Sequence, residues 1–340
     1  MKRLSLLLVS VLGAATGANL VLACEPAPTT SSPINAKPDE PKKKKDAGNT
    51  GDDDDDVVAD DDDDKPPSDP PLPDGGKPPG RIYAHTGSAL YLFDPLDNNK
   101  LTKVGDFSGF TEGHEFLEEV LDIALDRDST MYGTTWYGFV KIDPLTAKVT
   151  YIKSTDTFFQ FPNSLSFVPV GTVDPTKEAL VGYIKKDGTF GSTTYVRVDL
   201  ATGAITELGE LNPPGAALTW KSAGDIISTF RGGNKAYLTV KLFDAKDGGA
   251  GPGDPGTDSL AEVDPKTGRI IKIVGDTGQP NFYGLGQWAG TAYGFNAGGN
   301  IVKINMDTGA GQTILTLKED GGATGQWYGA GMTTDAPTAP

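Results

Sequence analysis

Three aspartates that could do chemistry lie in short, separate segments of the chain. Asp122 lies in LDIALD, Asp225 in GDIIST and Asp335 in YGAGMTTD. Two carboxyl groups held about 5–5.5 Å or about 6.5–9.5 Å apart can supply the acid and base of glycoside hydrolysis. The same side chains can instead end strands and accept hydrogen bonds in turns. The sequence thus offers a candidate carboxylate site and leaves its role open.

Other catalytic chemistry has little support in the sequence. With two histidines, His85 and His114, and one cysteine, the chain has neither a Cys-rich zinc site nor an HExxH pair. It contains no GxSxG nucleophile motif, no GxGxxG and no phosphate-binding P-loop. We therefore expect no cofactor and no metal centre. The Gly- and Asp-rich insertion 244–258 could wrap Ca²⁺, or it could be a flexible loop.

Aromatic residues form a second set of candidates. Such side chains stack on sugar rings or hold an aromatic peptide side chain when they reach a cleft, and otherwise they pack in the core. The candidate ligand-binding aromatics are Trp136, Tyr137, Tyr283, Trp288, Trp327 and Tyr328.

The net charge limits the class of partner. With 30 Lys and Arg against 46 Asp and Glu, the formal charge is −16. Because nucleic-acid binding needs clustered cations, we expect no nucleic-acid partner. A sugar, peptide or protein ligand fits this composition better.

The elements that must position these residues repeat along the chain. Five segments each consist of alternating apolar and polar residues, then an Asp or Asn, then a turn. Alternation with a period of two residues predicts a half-buried strand, and the turn that follows predicts a hairpin. The five anchor residues are Asp94, Asp143, Asp199, Asp264 and Asn305. A short strand is predicted before each pair, and a further strand opens the second to fifth units.

The first unit lacks this opening strand, and a matching segment, YGAGMTTD, occurs at the far end of the sequence. That displacement resembles the circular closure of β-propellers. The sequence therefore predicts an all-β, five-bladed propeller in residues 81–340, with the C-terminal strand closing blade 1. A sixth blade using GAALTW is possible, and an open β-sandwich is the other alternative. The phrases YGLGQWAGTAYGF and WYGAGMTT resemble propeller domains of secreted bacterial proteins, including uncharacterised acidic-tethered lipoproteins of myxobacterial type.

The N-terminus has the features of a secretion signal. Lys2 and Arg3 precede an apolar run that ends in Val21-Leu22-Ala23-Cys24. This ending resembles the lipobox of bacterial lipoproteins, which implies cleavage after residue 23 and acylation of Cys24. The alternative is an uncleaved membrane anchor. Residues 24–80 lack aromatics and are rich in Pro, Asp and Lys, so we predict a disordered tether after the lipidated residue.

These features together predict a lipid-anchored protein of the cell envelope that is held to the membrane through Cys24. The outer membrane or surface is favoured over the inner membrane, and the sequence leaves the choice between them open. The propeller is expected to be a monomer that binds protein or glycan without catalysis. The alternative is a carbohydrate-active or lactonase-like hydrolase that uses the channel carboxylates.

Overall fold

The computed structural model describes residues 82–110, 118–186, 191–229, 234–319 and 322–336. The signal segment with Cys24, the predicted tether and His114 lie outside these ranges. Within them the structure is all-β, with no helix that is long and apolar enough to cross a bilayer.

The strands form five antiparallel sheets of four strands each, which are the five blades of a propeller. From the centre outwards, blade 1 contains β20 (Gly329–Gly331), β1 (Ile82–His85), β2 (Ala89–Asp94) and β3 (Lys100–Asp106). Blade 2 contains β4 (Val120–Leu125), β5 (Met131–Thr135), β6 (Gly138–Ile142) and β7 (Val149–Ser154). Blade 3 contains β8 (Leu165–Val168), β9 (Ala179–Ile184), β10 (Thr194–Val198) and β11 (Ile205–Glu210).

The last two blades follow the same order. Blade 4 contains β12 (Trp220–Thr229), β13 (Lys235–Leu242), β14 (Ser259–Val263) and β15 (Ile270–Asp276). Blade 5 contains β16 (Phe282–Trp288), β17 (Thr291–Asn296), β18 (Asn300–Ile304) and β19 (Gly311–Thr316). The innermost strands β4, β8, β12, β16 and β20 contact one another in that order, and β20 contacts β4 again. The ring is therefore closed.

The predicted circular closure is confirmed. β20 is supplied by the C-terminal part of the chain and pairs antiparallel with β1, so that Tyr83 lies opposite Gly331. The possible sixth blade is wrong. Trp220, the last residue of GAALTW, begins β12 and lies opposite Leu242 of β13. The extra length in this unit therefore lengthens an existing blade.

Burial explains why each strand has its place. Every residue of the inner strand β4 is buried, whereas the outer strand β15 is a mixture of half-buried and exposed residues. Buried apolar residues form clusters between neighbouring blades, so the core of the molecule is distributed around the ring. The predicted Asx turns also form: Asp199 Oδ1, for example, accepts the backbone N–H groups of Ala201 and Thr202.

Candidate functional site

Two carboxyl groups meet at the centre of the ring. Asp122 on β4 and Asp225 on β12 are both fully buried and hydrogen-bonded to each other. The sequence predicted that Asp122, Asp225 and Asp335 approach the channel from three blades, and the structure brings the first two together. Asp335 lies elsewhere, with Oδ2 3.6 Å from Arg127 Nη2.

The carboxyl pair accepts one backbone N–H from every blade. Asp122 accepts the N–H of Ile123 at 2.8 Å and that of Leu165 at 2.5 Å. Asp225 also accepts from Leu165, and from three further N–H groups in blades 4, 5 and 1. Those donors are Ile226 at 3.2 Å, Leu285 at 3.4 Å and Ala330 at 3.3 Å. The pair, which we call the carboxyl clasp, thus links all five inner strands.

Glycine allows the inner strands to come close enough for this arrangement. Gly224 and Gly284 directly precede Asp225 and Leu285. A Cβ at Gly224 would lie 2.2 Å from the carbonyl oxygen of Phe282, and one at Gly284 would lie 2.7 Å from the backbone nitrogen of Ala330. Only a residue without a side chain fits at these two crossings.

Burial changes the protonation of the clasp. Loss of hydration raises the pKa of Asp122 to about 8. The pKa of Asp225 is also raised well above its usual range, first by burial, then by the charge of Asp122 and by the hydrogen bond between the two side chains. At neutral pH the pair therefore holds protons that two exposed carboxyl groups would have released.

His85 on β1 borders the clasp. It is fully buried, Nδ1 lies 2.9 Å from the carbonyl oxygen of Thr86, and Nε2 has no hydrogen-bond partner. Gly329 separates His85 from Asp122. A Cβ added to Gly329 would lie 2.5 Å from His85 Nε2 and 2.5 Å from Asp122 Oδ1, so these two atoms lie on either side of a gap that only glycine leaves open. Burial lowers the pKa of His85 to about 4, so the imidazole is neutral beside the clasp.

A wide pocket opens on one side of the clasp. Its volume is about 1210 Å³, and its floor includes Leu121, Gly224, Tyr283 and Tyr328, each one or two residues before a clasp residue or donor. On the other side, residues such as Ile227 and Met332 close around the channel and leave no room for a water molecule. The pocket therefore ends at the clasp.

One wall of the pocket is aromatic. The rings of Trp136 and Phe158 are stacked, with centroids 4.6 Å apart and planes 8° apart, and Tyr137 meets Phe158 edge-on at 5.7 Å. Trp136 Nε1 donates to Glu119 Oε2 at 3.2 Å, which fixes the indole. Phe158 is 55% exposed and offers its ring to solvent. The wall is thus held together by ring contacts and is open to a ligand.

The structure separates the predicted aromatics into two groups. Trp136, Tyr283 and Tyr328 line the pocket, and Tyr137 supports its wall. Trp288 and Trp327 do not line it. Both are buried in the core, where Trp327 Nε1 donates to the carbonyl oxygen of Gly299 at 3.0 Å. We therefore assign no ligand contact to these two tryptophans.

Several pocket residues were not anticipated from the sequence. They are Phe158, Phe159, Gln160, Asn163, Lys185, Lys186 and Gln326. The adjacent phenylalanines in STDTFFQF, a polar stretch between two predicted strands, were the available signal.

The insertion 244–258 makes turns of its own. Asp244 Oδ1 accepts the N–H of Lys246 at 2.8 Å, and the buried Asp258 accepts that of Phe282 at 2.7 Å. Among the described residues, no group of three or more His, Cys, Asp or Glu side chains is arranged to hold a metal ion.

Comparison with protein-family models finds no match, and no curated protein matches the sequence. Solved structures do match. A protein of unknown function from Bacteroides caccae has a TM-score of 0.37 and 11% identity over 75% of this chain and 98% of its own. An exo-β-1,3-galactanase from Phanerochaete chrysosporium, with β-1,3-galactotriose, has a TM-score of 0.42 and 12% identity, and the match covers 75% of this chain and 68% of the galactanase. An oligogalacturonate lyase in complex with manganese has a TM-score of 0.34 and 10% identity, and the match covers 68% of this chain and 61% of the lyase. We carry no activity over from them.

Proposed function

We propose that this chain is a lipid-anchored propeller of the cell envelope that binds a glycan or protein ligand in its pocket without chemical turnover. The observation that carries the proposal is the aromatic pocket that ends on the closed carboxyl clasp. A concave site with aromatic walls and a few polar groups is the usual form of a ligand pocket. Here the channel aspartates below the pocket, Asp122 and Asp225, already hydrogen-bond to each other and to backbone N–H groups.

The geometry of the clasp argues against the alternative hydrolase. Glycosidase carboxyl groups stand about 5–9.5 Å apart, with space for a sugar or a water between them. Asp122 and Asp225 instead hydrogen-bond to each other, are fully buried and accept backbone N–H groups. Neither oxygen pair is free to transfer a proton to a substrate.

The lining favours a glycan over a protein ligand. The side-chain amides of Gln160, Asn163 and Gln326 lie in the same pocket as the exposed ring of Phe158. Amides both donate and accept hydrogen bonds, as sugar hydroxyls do, while the flat faces of sugar rings stack on aromatic side chains.

A glycan array combined with a panel of chromogenic glycosides and lactones tests this proposal. We expect the protein to retain array glycans and to release no chromophore. Phe158→Ala should weaken binding of the best array ligand about five- to tenfold by titration calorimetry, because the exposed ring supplies stacking worth about 1 kcal/mol.

Leu145→Ala is the matched control, since Leu145 is an exposed apolar residue (79%) that does not line the pocket. Its affinity should equal that of the parent protein. Turnover of any substrate that is abolished by Asp122→Asn would refute the non-catalytic assignment.

The membrane anchor rests on the sequence of the N-terminus. Cys24 is the sole cysteine and follows Ala23 at the end of the apolar segment. Acyl chains contribute about 0.8 kcal/mol per buried CH₂, so a residue carrying two or three chains stays in the membrane. The Pro- and Asp-rich residues 25–80 would then hold the propeller away from the bilayer.

Cys24→Ala should release the protein from the membrane without changing its unfolding temperature. We expect wild-type protein in the detergent phase, labelled by a palmitate analogue, and the variant unlabelled in the aqueous phase. Equal labelling of both proteins would end the lipoprotein assignment.

A further inference from the structure

The charge of the pocket is opposite to that of the chain. The formal net charge is −16, yet the charged residues among the pocket lining are two lysines, Lys185 and Lys186, directly after β9. Lys186 Nζ lies 3.0 Å from Glu207 Oε2 on β11. Lys185 is exposed and makes no ion pair with any residue that the structure describes. One cation at the pocket is therefore available to a ligand.

A second acidic residue beside the pocket lining, Glu119, is engaged as well. Glu119 accepts a hydrogen bond from Trp136 Nε1 and forms a second one with the side chain of Tyr328. Its carboxylate thus positions two pocket aromatics.

The lysines and the aromatic wall belong to different parts of the rim. Lys185 follows a strand of blade 3, whereas Trp136 lies in a turn of blade 2, and Tyr283 and Tyr328 border blades 5 and 1. A volume of about 1210 Å³ also exceeds the roughly 300–1,000 Å³ of a pocket for a drug-sized molecule. A pocket of this size, lined on different sides by the lysine and the rings, fits an extended ligand such as an oligosaccharide.

We propose that the ligand is an acidic oligosaccharide whose sugar units carry carboxylates, an inference that rests on the glycan-binding function proposed above. Its rings stack on the wall formed by Phe158 and Trp136, and one carboxylate pairs with Lys185. The neighbouring amides of Gln160 and Asn163 bind its hydroxyl groups. An acidic peptide would satisfy Lys185 as well, but it would not use this combination of amides and flat aromatic faces.

Calorimetry with matched probes tests the charge of the ligand. The probes are hexasaccharides of hyaluronan and of alginate, each compared with its carboxyl-reduced counterpart. At least one acidic probe should bind about tenfold or more tightly than its reduced form, since a charged hydrogen bond is lost on reduction. Lys185→Gln should remove this difference, and 0.5 M salt should reduce it by screening the exposed pair. Lys141→Gln, an exposed lysine on β6 outside the pocket, should leave it unchanged.

Two outcomes would overturn the inference, and they differ in what else they refute. Equal affinity of acidic and reduced probes, unaffected by Lys185→Gln, would refute the acidic ligand while leaving a glycan-binding function intact. Binding of an acidic aromatic peptide, with no binding of any oligosaccharide on the array, would refute both the acidic glycan and the glycan preference of the pocket.

Discussion

Asp225→Ala should destabilise the propeller by about 3–5 kcal/mol, because each buried polar group left without its hydrogen-bond partner costs about 1–3 kcal/mol and Asp122 is one of several that lose a partner. The substitution also leaves the N–H groups of Ile226, Leu285 and Ala330 without their acceptor. These donors belong to three different blades, so the loss acts on the whole ring. Urea unfolding followed by tryptophan fluorescence measures the change.

Asp335→Ala is the control for this prediction. Asp335 is the third aspartate that the sequence singled out, but it forms a part-exposed ion pair with Arg127. Such pairs contribute about 0–1 kcal/mol. An equal loss of stability in the two variants would show that the clasp has no special role.

The pH dependence of stability provides a second measure of the clasp. The pKa of Asp122 rises from 3.8 to about 8, so the folded protein holds a proton that the unfolded chain releases. The stabilisation that comes from this proton is fully present below about pH 4, where Asp122 is protonated in both states. The free energy of unfolding then falls as the pH rises towards 8. Asp225→Asn retains one oxygen acceptor and a donor to Asp122, so it should lower the free energy of unfolding less than Asp225→Ala does. Because Asn does not titrate, the free energy of unfolding of this variant should also depend less steeply on pH than that of the parent. An identical slope in the parent and the Asn variant would contradict the raised pKa of Asp225.

The ring could be predicted from the sequence because its repeats are local. Each blade ends a strand with an Asx turn, as at Asp94 and Asp143, and such turns are determined by a few neighbouring residues. The closing strand could be found because its pattern was missing at one end of the repeats and present at the other. The length of β12 could not be foreseen, since its first residues are strand only because they pair with β13.

The site was less predictable because it depends on contacts between distant blades. Asp122 and Asp225 were recognised as channel candidates, but the hydrogen bond between them results from an approach of two strands about a hundred residues apart. The two buried tryptophans had the same residue type as Trp136. Residue type alone does not distinguish a wall that faces solvent from a core between blades. Lys185 gave no signal, since an exposed lysine after a strand looks the same in the sequence whether or not it borders a pocket.

Deleting residues 326–340 should have an effect comparable to the whole stability of the domain. The deletion removes β20 and with it the fully buried Trp327, whose indole packs against Tyr91 and Phe295 at centroid distances of 5.3 and 5.5 Å. Loss of a buried aromatic side chain alone costs about 3–5 kcal/mol, against about 5–15 kcal/mol for a typical domain. The clasp loses its Ala330 donor as well. We expect a protein that no longer unfolds in one cooperative transition.

The truncated chain should also become prone to self-association, because β1 is left as an exposed inner edge with unpaired backbone groups. Size-exclusion chromatography at rising concentration detects this change. Removing residues 337–340 alone leaves β20 in place and should alter neither the transition nor the elution volume. A synthetic peptide of residues 326–336 should restore cooperative unfolding to the longer truncation, since it supplies the same strand to the same edge. If the longer truncation unfolded as cooperatively as the full chain without the peptide, the closing strand would not be what holds the first blade in the ring.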